Sequence, residues 1–132
     1  MSNLTFRKAD ATALPFADAR FDVSCISFAL HEMPLSVRRR VLAEMVRVTK
    51  PAGTIIIVDY GRPAGASGAI FHAIVKLFER DHYVDFVRSD LPGLLEQAGI
   101  EVREDRPALW GAVRIVAGTR RGTDRGSDRP SA

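Results

Sequence analysis

Three short stretches gather the side chains that could do chemistry. Asp10 opens the run Asp10-Ala11-Thr12-Ala13-Leu14-Pro15-Phe16, with Asp18 and Asp22 close behind. Ser27, Phe28 and Ala29 come just before His31-Glu32. Asp59 leads into a loop containing Gly61, Gly65 and Gly68. A carboxylate accepts hydrogen bonds from amines, and a histidine can act as a general base or orient a substrate. A loop carboxylate can equally cap a turn, and a histidine can equally sit at a helix entry without catalysis. Both readings therefore stay open for Asp10 and for His31, the one weak catalytic candidate.

Other chemistries are argued against. The zinc-protease pattern H-E-x-x-H fails because position 35 is Leu35, and His72 and His82 lie far along the chain, so no metal site is expected. The spacing of Gly61, Gly65 and Gly68 does not match a dinucleotide fingerprint and no lysine follows Gly68, which leaves a hinge or lid loop. His72, Phe78, His82, Tyr83 and Phe86 could line a substrate pocket beneath it, or simply belong to an amphipathic cover helix.

The elements that must position these groups alternate strand, helix, strand, as in a parallel sheet flanked by helices. Leu4 to Lys8 reads as a short strand. Phe21 to Leu30 is an apolar run that scarcely alternates, so it is expected as a strand buried on both faces. Pro34 and Ser36 open a helix, with Ser36 as its cap and Val37, Val41, Met45 and Val48 on one stripe. Arg38, Arg39, Arg40 and Arg47 read mostly as a solvated face. Pro51 and Gly53 stop that helix, and Thr54 to Asp59 is a β-branched strand. Ala69 to Arg80 has helical spacing. Ser89 or Asp90 caps a helix ending at Gly99, and Ile100 to Arg106 with Ala112 to Thr119 form an antiparallel hairpin.

In an open α/β sheet ligands bind beyond the carboxyl ends of the strands, which is where the three stretches fall. The pattern D-A-x-x-L-P-F-x-D-x-x-F-D from Asp10 to Asp22 is similar to the middle motif of class I S-adenosylmethionine-dependent methyltransferases related to the ubiquinone/menaquinone enzymes. Arg40 to Met45 and Arg47-Val48-Thr49-Lys50-Pro51-Ala52-Gly53 resemble that family's helix and turn before its fifth strand, although family members commonly carry a second Gly at or beside Ala52. Leu94-Leu95 to Ala98-Gly99 resembles a later helix. The resemblance runs from about residue 4 to residue 119.

That resemblance implies a truncated Rossmann-like α/β sheet, mostly parallel with a C-terminal antiparallel hairpin, and S-adenosylmethionine as cofactor. It implies that Asp10 and the Ala11 amide read the adenine edge, that Leu14, Pro15 and Phe16 wall its face, and that Ser27, Phe28 and Ala29 lie under the methionine part. Asp22, at a strand start, reads as structural. The family's first strand, glycine-rich turn, and second strand with its acidic end have no counterpart here. In the family strand order 3-2-1-4-5-7-6, their loss leaves Phe21 to Leu30 as an open edge. The expected partners are a small-molecule methyl acceptor and, at that edge, either a second copy or a complementing N-terminal half. A non-catalytic remnant that pairs through the edge is the alternative.

With 132 residues, the chain suits one domain. No apolar run approaches the roughly 20 residues of a membrane span, no secretory signal is evident, and Cys25 is the single cysteine, all of which favours a cytoplasmic protein. Two of the three net positive charges lie between Gly118 and Ala132, in a Gly/Ser/Arg/Asp stretch expected to be a disordered tail from residue 120. A basic patch without interleaved aromatic residues argues against nucleic acid as the partner.

Overall fold

The β-branched run from Thr54 to Asp59 forms the spine of the sheet. In the computed structural model, which describes residues 3–78 and 82–122, it lies within β2 (Thr49–Tyr60). On one side β2 pairs in parallel with β1 (Phe21–Ser27), with Val23 opposite Thr54 and Ser27 opposite Val58. On the other side it pairs antiparallel with β4 (Val113–Arg120), which pairs antiparallel with β3 (Ile100–Ala108). The order is β1-β2-β4-β3, the 4-5-7-6 portion of the expected sheet. The β1–β2 crossover is α1 (Leu35–Val48), as parallel pairing demands.

Helix α1 lays Val41, Leu42 and Met45 into one core with Ile55 and Ile57 of β2 and Val116 of β4. Each such side chain taken from water contributes about 1.5–3 kcal/mol. Ser36 does not cap α1. Pro34, in extended conformation, is the cap residue, and its carbonyl accepts from the Val37 and Arg38 amides. Helix α2 (Gly65–Phe78) starts ahead of the expected Ala69. A short helix, α3 (Tyr83–Arg88), follows it in sequence. Asp90 caps α4 (Leu91–Gln97) by accepting from the Gly93 amide at 3.0 Å, and Gly99 leaves it at a φ of 92° that favours glycine.

Several expectations are corrected. Leu4 to Lys8 forms no strand and is exposed throughout. A lone strand cannot satisfy its backbone, and none of the described strands pairs with this segment. The strand expected over Phe21 to Leu30 ends at Ser27 and is not buried on both faces, with Val23 54% exposed. Its outer edge has no paired strand, so half of the cover that its composition anticipates is absent from the described residues. β4 runs through Arg120, whose guanidinium donates to the Thr49 carbonyl, and Arg121 pairs with Glu96. The remainder of the expected tail, residues 123–132, lies outside the described residues. The two sheet edges differ. β3 carries Glu101, Arg103, Glu104, Asp105, Arg106 and Pro107, whereas β1 presents Val23 and Cys25. Among the described residues no helix is long and apolar enough to cross a membrane.

Candidate functional site

The parallel pairing of β1 and β2 brings two strand ends side by side, and the chain leaves both abruptly. The Phe28 amide donates to the Val58 carbonyl at 2.8 Å, and Phe28 then adopts a φ of 49°. A left-handed conformation at a non-glycine residue costs about 1–2 kcal/mol and persists only where the surroundings enforce it. Here the enforcement comes from Asp59. Its Oδ2 accepts from the amides of Leu30 at 3.0 Å and His31 at 3.3 Å, and its Oδ1 accepts from the Tyr60 amide at 2.8 Å. The His31 ring completes the set through Nδ1 to Asp59 Oδ1 at 2.7 Å.

A carboxylate acts here as acceptor, so the bond assigns the proton between them to His31 Nδ1 and leaves Nε2 as the ring nitrogen outside it. His31 is 3% exposed, and its Nε2 lies 3.9 Å from Glu32 Oε1. The turn Leu30–Glu32 is held from behind by Arg38. Arg38 is fully buried, a correction to the solvated-face reading, while Arg39 and Arg40 are exposed. Its Nε donates to the Leu30 carbonyl at 3.0 Å, and its other nitrogens reach Asp85 and the His82 carbonyl, each at 3.2 Å.

Tyr60 is the centre of an aromatic cluster at this end. Its ring lies 4.7 Å from His31, 5.4 Å from Tyr83, 5.6 Å from Phe28 and 6.4 Å from Phe71, between centroids. Burial, and secondarily Tyr60, pushes the Tyr83 phenol up from its ordinary value. Tyr83 also lies 3.3 Å from His72 Nδ1. A cavity of about 300 Å³ opens beside Tyr60, lined also by Arg62, Phe86, Leu91 and Arg114. Of the residues expected to line a pocket under a lid, Phe86 does line this cavity, Tyr83 is packed into the core, and Phe78 is exposed.

The second half of the candidate site is the loop from Asp10 to Asp18. Asp10 does cap a turn, because its Oδ1 accepts from the Thr12 amide and hydroxyl, both at 2.8 Å. Those bonds, with Arg40 nearby, hold the Asp10 carboxyl below its ordinary range. Its Oδ2 and the adjoining Ala11 amide make no hydrogen bond with the described residues. Ala11 also packs against the core cluster. The Leu14 amide donates to Glu44 Oε2 at 2.7 Å, while Arg47 donates to the Leu14 and Phe16 carbonyls at 2.9 and 2.8 Å. Asp22 accepts from Lys50 Nζ at 2.9 Å, a tie at the mouth of β1.

Asp10, Ala11 and Leu14 thus share one anchored loop, and Ser27, Phe28 and His31 share the end of β1. The described residues show no hydrogen bond between the two groups. Reading the sequence gave no site role to Tyr60, Arg38, Glu44 or Arg47, and placed Asp59 only at the head of the glycine-containing loop. Asp59 and His31 carried a signal, since each follows one of two apolar runs that parallel pairing sets side by side. Arg38 carried one too, standing three, four and seven positions before Val41, Leu42 and Met45. Among the described residues no group of three His, Cys, Asp or Glu could hold a metal ion.

A sheet of this order, with a helix crossing from its parallel pair and an antiparallel hairpin at its far end, is the C-terminal part of a Rossmann-like methyltransferase fold. A family profile described as a methyltransferase domain matches residues 1–57. An uncharacterized methyltransferase of Synechocystis is 32% identical over 116 residues, covering 85% of this chain and 53% of that protein. A demethylmenaquinone methyltransferase of Paenarthrobacter aurescens is 37% identical over 92 residues, covering 70% of this chain and 31% of that protein. The solved structure of an S-adenosylmethionine-dependent methyltransferase from Aquifex aeolicus superposes with a TM-score of 0.63 at 22% identity, covering 89% of this chain and 55% of that one. Over the part of their length that it spans, the chain is similar in sequence and in fold to the class I S-adenosylmethionine-dependent methyltransferases. It spans about half or less of the length of these curated relatives.

Proposed function

We propose that the chain carries the adenosyl side and the acceptor side of a small-molecule methyl-transfer site. The observation that carries this reading is the pair formed by Asp10 Oδ2 and the Ala11 amide, an acceptor and a donor left without partners among the described residues. Adenine presents the complementary pair, an exocyclic amine beside a ring nitrogen. Leu14 adds an apolar wall, and Ser27 and Phe28 sit at the strand end under the methionine part. The cofactor, when bound, supplies an electrophilic methyl group on a sulfonium. His31 is on the acceptor side, orienting the acceptor or taking its proton. Methyl transfer depends chiefly on proximity, alignment and exclusion of water, so His31 is an aid to the reaction and not a requirement.

The relatives named demethylmenaquinone methyltransferases and the ring cluster around Tyr60 both favour a flat aromatic acceptor. The glycine-rich turn and acidic strand end are not among these residues. A strand carrying them, on the same or another polypeptide, completes the cleft by pairing with the open edge of β1. Calorimetric titration with S-adenosylhomocysteine tests the proposal, first on this chain and then on its complex with a coexpressed glycine-turn half. Binding is expected, and Ala11→Pro, which removes the donor, is expected to weaken it. A folded chain whose complex takes up no S-adenosylhomocysteine sinks the reading.

The open edge favours a second reading, a scaffold without catalysis that pairs through β1, where Val23 and Cys25 are exposed. It predicts a dimer in light scattering and no cofactor uptake. A monomer at every concentration counts against it.

A further inference from the structure

We infer that Glu44 and Arg47 are positioning residues for the adenosyl group, acting through the loop from Asp10 to Asp18. This rests on the reading that Asp10 and Ala11 meet the adenine edge. Neither α1 residue needs to touch the cofactor. Arg47 Nη2 donates to the Leu14 carbonyl at 2.9 Å, and Nη1 donates to the Phe16 carbonyl and to Asp18 Oδ1, both at 2.8 Å. The same guanidinium is locked from the helix side, with Nε to Glu44 Oε1 at 2.7 Å and Nη2 to Glu44 Oε2 at 2.9 Å. Glu44 Oε2 in turn accepts from the Leu14 amide at 2.7 Å. Both backbone polar groups of Leu14 are therefore committed to one ion pair on α1.

The consequence is a loop whose ends differ in character. From Leu14 to Asp18 it is tied to α1, whereas at Asp10 and Ala11 one acceptor and one donor are left over. A loop ordered before its ligand arrives spares that ligand the entropy of ordering it. A planar fork with five donors is what the task requires, because one flat group must reach two carbonyls and two carboxylates together. The family resemblance covers Arg40 to Met45 and Arg47 to Gly53, but a resemblance gives no physical reason for a fork-shaped cation at Arg47 or a carboxylate three residues before it. The loop supplies that reason.

The test titrates the full chain with S-adenosylhomocysteine and follows backbone amide shifts, loop amide exchange and the urea midpoint. Arg47→Lys keeps the charge and loses the fork. Glu44→Gln keeps one acceptor for the Leu14 amide and loses the ion pair. Each is expected to weaken binding about tenfold, a loss of about 1.4 kcal/mol. Each is also expected to speed exchange at Leu14 while exchange in β2 stays slow. Arg103→Gln, on the outer edge of β3, serves as a control with unchanged affinity. If the loop loosens and affinity does not move, the inference is overturned and the adenine reading survives. If the parent chain, alone and in complex with the coexpressed glycine-turn half, shows no shifts at Asp10 and Ala11 at millimolar ligand, the adenine reading falls and the inference falls with it. Should Arg47→Lys fail to fold, Glu44→Gln decides the matter.

Discussion

Asp59 and His31 stand 28 positions apart and meet at 2.7 Å, both almost wholly buried. Three backbone amides converge on the same carboxylate, those of Leu30, His31 and Tyr60. The pair is thus both a chemical element and a structural rivet, which fixes the tautomer of one ring and the departure of the chain from two strands.

Replacing Asp59 by Ala removes the acceptor of the buried Leu30 and His31 amides, of the part-buried Tyr60 amide and of the His31 ring nitrogen. The expected loss is about 3 kcal/mol, read from the urea midpoint. Asp59→Asn keeps one acceptor oxygen and should lose less. Equal stability of all three proteins would mean that the carboxylate holds nothing.

Arg38 ties the Leu30 turn to α3. Arg38→Met fills a similar volume but leaves the Leu30 and His82 carbonyls without their donor, so a loss of about 2 kcal/mol is expected. Amide exchange should accelerate first in α3, from Tyr83 to Arg88. Arg38→Lys is not expected to rescue, because one ammonium cannot span three acceptors. Rescue by lysine would show that charge alone is what matters there.

The bonds from Arg47, and after them the Leu14 amide, hold the Glu44 carboxyl down to about 2 against an ordinary 4.5. A depressed carboxylate stabilises the folded loop above its unfolded value and loses that effect as pH falls. Protection of the Leu14 amide should therefore be complete above pH 4.5 and decline toward about pH 2. In Glu44→Gln the decline should vanish. A wild-type profile that stays flat down to pH 2 contradicts the ion pair.

Ala52 has a φ of 60°, which an L side chain adopts at a cost of about 1–2 kcal/mol. Ala52→Gly should stabilise the chain by about 0.5 kcal/mol after the greater unfolded-state freedom of glycine is subtracted. Its neighbour behaves oppositely. A Cβ on Gly53 would come 2.7 Å from the Lys50 carbonyl oxygen and 2.9 Å from that of Asp22, both backbone atoms, so Gly53→Ala should destabilise. Thermal melts of the two variants moving in the same direction would contradict this account.

What the sequence made legible was periodic. Val41, Met45 and Val48 marked α1, the β-branched run marked β2, and the runs Ile100 to Arg106 and Ala112 to Thr119 marked the hairpin. Leu4 to Lys8 alternates plausibly, but a strand is a relation between two segments, and only one is present among the described residues. The same holds for β1, whose composition anticipates cover on a side that is open here. Arg38 went unread because a run of three arginines suggests a solvated face, and its register with Val41 and Leu42 shows only when each arginine is placed separately. Asp10 was legible as a candidate from its neighbours in sequence. Glu44 and Arg47 were not, because their partners are Leu14, Phe16 and Asp18, some thirty positions earlier.

The contrast between the two margins of the sheet gives the fold a sense of direction. Along β3, alternating charges and Pro107 make addition of another strand unfavourable, while β1 offers a ladder of amides and carbonyls flanked by Val23 and Cys25. A newcomer therefore has a single berth, and it adjoins the ends of β1 and β2 where Phe28 and His31 stand. Under the proposed methyl-transfer reading, growth of this sheet and completion of the cleft are one event.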